Sequence, residues 1–399
     1  MKSKNMSEVL YISLDGMMEP LGQSQVLKYL EKLSATFQIN LISFEKIHDL
    51  ENTKLLNEII KKCAENQISW YRLKYRNGYF GLGQIVNILN LFFLPLYIFI
   101  KKNISLVHIR SYVPGIFLPV HSLFFKFKII FDIRGFWADE KHDRLNWSKK
   151  SLKFRFFKKL EAYLMRHSKY IVTLTNASKS LIVKNFNVAP ASLFVIPTCV
   201  DFEEFRRVER INKKPNNLTI GYLGSIDTAY DFTRFCFLIS ELQKNLKYSI
   251  NLKVLTNQSS QNVSALIPKK ILSKILLEVK FVERSKLSNE ISSFDFLGFY
   301  LKENYSIVAS MPTKIGETLA CGVPIVCNPF NADICDLLEE NEAGMIYNFD
   351  NDLTQKELKK IVHLLNNDTS MRCISTASKH FALERGVSQY LNLYSKIIL

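Results

Sequence analysis

Lys314 and Glu317 stand three residues apart in "ASMPTKIGETLACGVPIVCNPF" (Ala309–Phe330), where a helix is expected to begin. Helix starts carry partial positive charge and favour carboxylates, so a lysine there costs stability unless an anion sits against it. Thr313 is the expected cap, and Gly322 with Pro324 the expected stop. Lys314 could then meet a phosphate-type anion, and Glu317, one turn in, could accept both hydroxyls of a ribose. The alternative is a solvated i,i+3 Lys–Glu pair, worth about a few tenths of a kcal/mol.

A second concentration lies in "DIRGFWADEKHDRLNW", where Asp132, Arg134, Trp137, Asp139, Glu140, His142 and Asp143 fall close together. Carboxylates and a guanidinium hydrogen-bond polyhydroxylated ligands, and an indole stacks on the apolar face of a sugar. A structural ion-pair network would draw on the same residue types. Two glycine loops carry weaker signals. Gly22 in "DGMMEPLGQSQ" (Asp15–Gln25) would let backbone amides approach an anion at a helix start, or mark a plain turn. Gly224 and Ser225, opening "GSIDTAYD", could offer an amide and a hydroxyl to a phosphate. Neither loop is G-x-G-x-x-G, and Glu45 at the end of "NLISFEK" lacks the glycine fingerprint that a dinucleotide site needs.

The elements that must position these residues follow from periodicity. The chain has 399 residues, 47% hydrophobic and 23% charged, which suits two globular domains. Short β-rich runs ("EVLYISL", "QINLISF", "SLVHIR", "FKIIFDI", "KYIVTLT", "SLFVIP") alternate with helical stretches. After Val26, for example, Leu27, Leu30 and Leu33 mark one helix face. The pattern predicts parallel strands covered by helices. A polar segment, "EEFRRVERINKKPNN", reads as a linker, after which "LTIGYLG", "SINLKVL", "KFV", "FDFLGFY", "VPIVC" and "GMIY" predict a second α/β unit. The boundaries predicted are 1–205, a linker at 206–216, 217–378, and a terminal helix at 379–399 with Leu391, Tyr394 and Ile397 or Ile398 on one face. In open α/β sheets ligands bind beyond the carboxyl ends of the strands, so the loops quoted above are in the right places.

The net charge of +16 is uneven: residues 1–200 hold 29 Lys and Arg against 14 Asp and Glu. That balance suggests an anionic partner. In "WSKKSLKFRFFKKLEAYLMRHSKY", Leu152, Phe156, Leu160 and Leu164 are expected on one helix face, with Lys149, Lys150, Lys153, Lys158 and Lys159 around the rest. Such a helix suits an anionic membrane surface. The apolar stretch Ile85–Ile100, interrupted by Pro95, is short for a span and is expected to be a buried helix, with membrane-surface insertion as the alternative. No helix-turn-helix, RNP or zinc signature supports nucleic acid. Seven cysteines without a C-x-x-C pair read as reduced, mostly buried thiols, in keeping with a cytosolic location. The opening apolar run is too short for the core of a signal peptide.

"P-x-K-x-x-E-x-x-A-x-G-x-P" at Pro312–Pro324 resembles the donor-site signature of GT-B glycosyltransferases of the family 4 type. "DGMMEPLGQSQVLKYL", "SFEK", "DIRGFWADE", "GYLGSIDTAYDF" and "FALERGVSQYLNLYSKII" are similar to further blocks of members that build bacterial surface polysaccharides. The resemblance implies an α/β fold of two doubly wound Rossmann-like domains facing a central cleft. It implies a UDP- or GDP-type nucleotide-sugar donor held by the second domain, a saccharide acceptor held by the first, retention of configuration, and neither metal nor cofactor. Glu317 then matches the ribose ligand, Gly22 the first-domain glycine near the diphosphate, and Gly224 the glycine after the second domain's first strand. Three positions depart from the pattern. Ala309 replaces the first glutamate of Glu-x7-Glu, no Arg or Lys follows Gly224, and Arg134 stands where a histidine is usual. Lys314, with Arg284 or Lys286 behind it, is the candidate replacement for the diphosphate cations.

Three readings follow. The first is a glycosyltransferase, peripheral on the inner face of the cell membrane, acting on a lipid-linked saccharide. Here Asp132, Arg134 and Lys314 are the catalytic candidates, and Gly22, Gly224, Ser225, Arg284, Lys314 and Glu317 bind the donor. Trp137 and the five lysines face acceptor or membrane. The others are a nucleotide-sugar epimerase on the same fold and a non-catalytic membrane-binding relative.

Overall fold

The computed structural model describes residues 6–76, 82–209, 216–226 and 229–398. Two compact units form, one from residues 1–197 with 383–399, the other from 198–382. Residues 210–215 of the charged stretch read as a linker, and Asp227 and Thr228 of "SIDTAYD", lie outside the described residues.

The first unit is built on β1 (Glu8–Ser13), β2 (Gln38–Lys46), β3 (Ser69–Tyr75), β4 (Ile104–Arg110), β5 (Lys128–Asp132), β6 (Tyr170–Thr173) and β7 (Leu193–Val195). They form one parallel sheet in the order β3-β2-β1-β4-β5-β6-β7. β1 and β4 are buried on both faces, as expected of apolar runs in a parallel sheet covered by helices. The sequence reading missed β3. Its residues "SWYRLKY" set the exposed Arg72 and Lys74 at alternate positions because it is the edge strand and one side of it meets solvent. The helical run behind β1 buries Leu27, Leu30 and Leu33, as their spacing predicts.

The second unit carries β8 (Asn217–Leu223), β9 (Ser249–Leu255), β10 (Ile275–Lys280), β11 (Phe296–Phe299), β12 (Ile325–Cys327) and β13 (Gly344–Ile346), ordered β10-β9-β8-β11-β12-β13 and parallel. Here the third strand sits earlier than expected. It ends at Lys280, so most of "KFV" belongs to the following loop, where Phe281 is exposed.

Five helices matter below: α1 (Leu82–Lys101), α2 (Leu152–His167), α3 (Arg284–Ser292), α4 (Thr313–Ala320) and α5 (Leu383–Ile398). α1 runs unbroken through Pro95, which lies on its buried side. The expectation that α1 is buried fails: only the stripe Gly83, Asn87, Leu91, Pro95, Ile98 and Phe99 is covered, and much of the rest is open. α2 buries Phe154, Leu160, Leu164 and Met165, while Leu152 and Phe156 of the expected face are exposed. α5 packs within the first unit through Leu383, Val387, Tyr390, Leu393 and Tyr394. Its buried stripe therefore includes Tyr394 but replaces Leu391 with Tyr390. The seven cysteines are free thiols; all are buried except the half-buried Cys335.

Candidate active site

In the first unit the carboxyl ends of β4 and β5 bring together a buried charged cluster. Asp132 closes β5 and is 1% exposed. Its Oδ2 accepts a hydrogen bond from Tyr390 of α5 at 3.1 Å. Arg110 and Arg134 each approach the same oxygen at 3.7 Å, and His108 at 3.9 Å. Arg110 also donates to Asp15 at 2.7 Å, and His108 Nδ1 lies 2.7 Å from the Tyr394 hydroxyl. Burial alone would raise the Asp132 carboxyl, but Arg134, His108 and Arg110 hold it below the usual range. Burial pushes the His108 imidazole down, so it is neutral near pH 7. Arg134 has a left-handed backbone (φ 58°), followed by Gly135 at φ 147°. A non-glycine residue held there stores strain, and such strain gathers where a side chain must be aimed.

Asp132 Oδ1, His108 Nε2 and Arg110 Nη1 are buried with no hydrogen-bond partner among the described residues. Sequence reasoning named Asp132 and Arg134 and missed Arg110, His108 and Tyr390. The first two lie in "SLVHIR", which reads simply as a strand, and Tyr390 comes from far along the chain.

Gly22 does not prepare an anion seat. A Cβ added there would lie 1.9 Å from the Gly16 carbonyl oxygen, so the residue is small because the loop passes close to the helix. The amides of Met17 and Met18 each donate to the Glu45 carboxylate at 2.9 Å, and Ser43 Oγ donates to it at 2.6 Å. A protein carboxylate thus occupies the nest that the sequence reading left for a phosphate.

Trp137 lies in an aromatic cluster, 4.5 Å from Phe157 and 5.6 Å from Trp147 between ring centroids, with the Lys141 ammonium over its ring. Of the five lysines, Lys149, Lys150, Lys153 and Lys159 are exposed, Lys153 lying over Trp147. Lys158 turns inward to Asp139 at 3.0 Å and to Glu161, so it does not face outward as expected.

In the second unit, Lys314, Glu317, Arg284 and Gly224 share the carboxyl edge of the sheet. Pro312, not Thr313, is the cap residue of α4, and Gly322 follows its end with φ 72°. Lys314 is 5% exposed. Its ammonium donates to the Leu223 carbonyl at 2.9 Å and lies 3.6 Å from the Tyr230 ring centroid, 4.4 Å from Phe299 and 5.3 Å from Tyr222. Burial pushes its pKa well below the usual lysine value, while the rings and the carbonyl favour the charged form. Lys314 is therefore caged, not open to an anion as the sequence suggested. Arg284, at the start of α3, bridges Glu317 at 3.1 Å and Glu204 at 2.9 Å. Burial raises the Glu317 carboxyl, with Arg284 opposing.

Gly224 has φ 109° and open space around it, but its amide is taken by the Leu255 carbonyl at 3.0 Å. The Ser225 carbonyl accepts from the Tyr222 hydroxyl at 2.7 Å. Ala309 is fully buried and brings no carboxylate. Lys286 is exposed. No group of three or more His, Cys, Asp or Glu side chains suited to a metal occurs among the described residues.

With this geometry in place the comparisons can be read. A sucrose-phosphate synthase from Thermosynechococcus elongatus superposes with a TM-score of 0.69 at 12% identity, over 98% of this chain and 99% of that one. WaaG, a glycosyltransferase involved in lipopolysaccharide biosynthesis, gives 0.64 at 11%, over 98% and 99%. TarM from S. aureus, in complex with fondaparinux, alpha-GlcNAc-glycerol and UDP, gives 0.63 at 11%, over 98% and 100%. The fold is GT-B. Residues 58–204 match the sequence model of Glycosyltransferase Family 4. Curated proteins give no match. The GT-B likeness therefore spans both units, while the Family 4 match covers the strands that carry Arg110 and Asp132 and the turn that carries Arg134.

Two predictions follow from these packings. Gly22→Ala forces a methyl group onto backbone and should lower stability by roughly 1–3 kcal/mol in urea unfolding; an unchanged midpoint would mean that the loop is free to move. Lys314→Met should leave the melting temperature unchanged or higher, because it removes a buried amine whose charge is disfavoured by burial. The folded pKa of Lys314 lies below the unfolded one, so between the two the unfolded state binds more protons. Stability of the unsubstituted protein relative to Lys314→Met should therefore rise with pH up to about 10.4. A lower melting temperature in Lys314→Met at pH 7 would make the lysine a structural residue.

Proposed function

We propose that the protein is a retaining glycosyltransferase that moves a sugar from a nucleotide-diphosphate sugar, of UDP or GDP type, to a saccharide acceptor. The acceptor is lipid-linked, the process is assembly of a bacterial surface polysaccharide, and the enzyme works peripherally at the inner face of the cell membrane without a metal or cofactor. The observation that carries this reading is the buried Asp132–Arg110–Arg134 cluster at the carboxyl edge of a GT-B sheet, with acceptor and donor atoms left unbonded. A sugar hydroxyl both donates and accepts, so Asp132 Oδ1 beside Arg110 Nη1 is a matched pair for one. WaaG and TarM, similar in fold, are tied by their descriptions to lipopolysaccharide biosynthesis and to UDP, which supports the donor and the process.

In this reading the bond between the anomeric carbon and the diphosphate oxygen breaks, and the acceptor hydroxyl bonds to that carbon on the same face. Its proton passes to the departing phosphate. Charge grows on the diphosphate oxygens, and preorganised cations lower that barrier. In the second unit Arg284 supplies a cation by turning from Glu317 to the diphosphate, which frees Glu317 for the ribose, and Lys314 supplies a second once the rings that cage it move aside. Asp132 and Arg134 hold the transferred sugar or the acceptor. Gly224 and Ser225 shape the loop beside the donor.

Ala309 and the caged Lys314 favour a second reading, a non-catalytic membrane-binding relative. One experiment separates the two. Thermal melts with UDP, GDP and ADP should show stabilisation by one of the first two, and sugar transfer should follow with the corresponding donor. Asp132→Asn should cut transfer by roughly 10²–10³-fold while leaving nucleotide stabilisation intact, since the nucleotide is assigned to the other unit. No stabilisation by any nucleotide would support the non-catalytic relative; full transfer by Asp132→Asn would remove the cluster from the mechanism.

A further inference from the structure

α1 is long and apolar enough to cross a membrane by length and composition, yet one side of it is built into the first unit. Asn87 holds the chain at Arg76 on both sides, accepting from its amide at 3.1 Å and donating to its carbonyl at 3.0 Å. Phe99 stacks on Phe125 and Phe127, with centroids 5.1 and 4.9 Å away. A helix pinned along one side in this way cannot leave the sheet to span a bilayer. The other side is bare: Leu82 is 66% exposed, Phe93 59% and Ile100 65%, and Ile85, Leu89 and Tyr97 continue the row. Their spacing of three and four residues places them on one face. Leu123 and Phe124, about 75% exposed, stand in the segment that Phe125 and Phe127 fix against the last turns of α1. An apolar surface of this extent marks an interaction site.

The charge beside it names the occupant. β4, β5 and β6 are neighbours in the sheet, and the residues leading into them carry cations: Lys101 before β4, Lys126 and Lys128 at β5, Lys169 before β6. All four are exposed, while Lys102 is paired with Glu8 at 3.7 Å. A bare apolar row ending in a rim of lysines fits a surface that is apolar inside and anionic outside. We infer that the exposed face of α1, continued by Leu123 and Phe124, is the surface by which the protein docks on an anionic phospholipid bilayer. The helix lies in the plane of the interface, and Lys101, Lys126 and Lys128 meet the headgroups. The inference deepens the peripheral-membrane part of the proposed function and moves the docking face from the lysine-rich α2 to α1.

The test is flotation of the full chain with vesicles. The protein should float with phosphatidylglycerol–phosphatidylethanolamine vesicles and bind at least tenfold more weakly to phosphatidylcholine vesicles. Leu89→Glu/Phe93→Glu, both at exposed positions, should lose binding at least tenfold with an unchanged melting temperature. Lys101→Ala/Lys126→Ala/Lys128→Ala should lose the preference for anionic lipid. The α2 variant, Lys149→Ala/Lys150→Ala/Lys153→Ala, at the start of α2 and in the turn before it, should float as the parent does. Three results overturn the inference: flotation of Leu89→Glu/Phe93→Glu at the parental level, loss of flotation in the α2 variant alone, or a lipid-free dimer that Leu89→Glu/Phe93→Glu renders monomeric. Vesicle binding is scored without donor, so flotation without sugar transfer would sink the enzyme reading and leave the docking face standing.

Discussion

A carboxylate removed from water must be surrounded by positive charge and hydrogen-bond donors, and at Asp132 that requirement organises the first unit. Its partners come from three places: Arg110 and His108 from the neighbouring strand, Arg134 from a left-handed turn two residues on, and Tyr390 from the terminal helix. Breaking a buried charge pair typically costs about 3–5 kcal/mol, because the remaining charge is left uncompensated. α5 joins the cluster through the Tyr390 hydroxyl on Asp132 and the Tyr394 hydroxyl beside His108. The cluster also explains the strain at Arg134, since an extended backbone at that position would aim the guanidinium elsewhere.

The second unit handles buried charge differently. Lys314 has no carboxylate against its ammonium in the contacts described; it has three aromatic faces and one carbonyl. A desolvated cation–π contact is worth about 2 kcal/mol, enough to hold a cation in place but not to neutralise it. Burial disfavours the charge on this ammonium while the rings and the carbonyl favour it, so Lys314 is held under a thin aromatic cover. Arg284 is the complementary case, divided between Glu317 and Glu204. An arriving anion meets one cation that is caged and one that is already paired, so binding must rearrange at least one of them.

Much of the fold was legible because buried parallel strands are rich in apolar residues: β1, β4 and β5 are nearly continuous apolar runs, and β8 and β9 set an apolar residue at every second position. β3 was not, since an edge strand that meets solvent carries Arg72 and Lys74 at alternate positions. α1 misled for the opposite reason. Hydrophobic content all around a helix implies burial only if other elements cover it, and coverage is a property of the tertiary arrangement. Among the charged residues described above, Asp132, Arg134, Lys314 and Glu317 were singled out in the sequence, because they fall at a strand end, in the loop after it or at a helix start. Residues inside strands or far along the chain, Arg110, His108 and Tyr390, were not, because their roles arise only when β4, β5 and α5 meet. Orientation was illegible too: the spacing of Lys314 places it in the first turn of α4 but does not say that Tyr230 covers it.

The loop after β1 sharpens what the first unit can bind. Backbone amides grouped at a helix start would ordinarily suit a phosphate. Here Glu45 fills them from within, and Ser43 supports its carboxylate. A second anion beside that carboxylate would meet repulsion, so the loop is shaped by charge without offering charge. The unbonded buried atoms of this unit's charged cluster are instead Asp132 Oδ1, His108 Nε2 and Arg110 Nη1, an acceptor and a donor with an imidazole nitrogen whose role depends on its tautomer. Phosphate oxygens want donors alone. A hydroxyl wants one of each, and a ring of hydroxyls wants several such pairs. The buried cluster of the first unit therefore leaves a donor beside an acceptor, the pair that a hydroxyl uses and a phosphate oxygen does not.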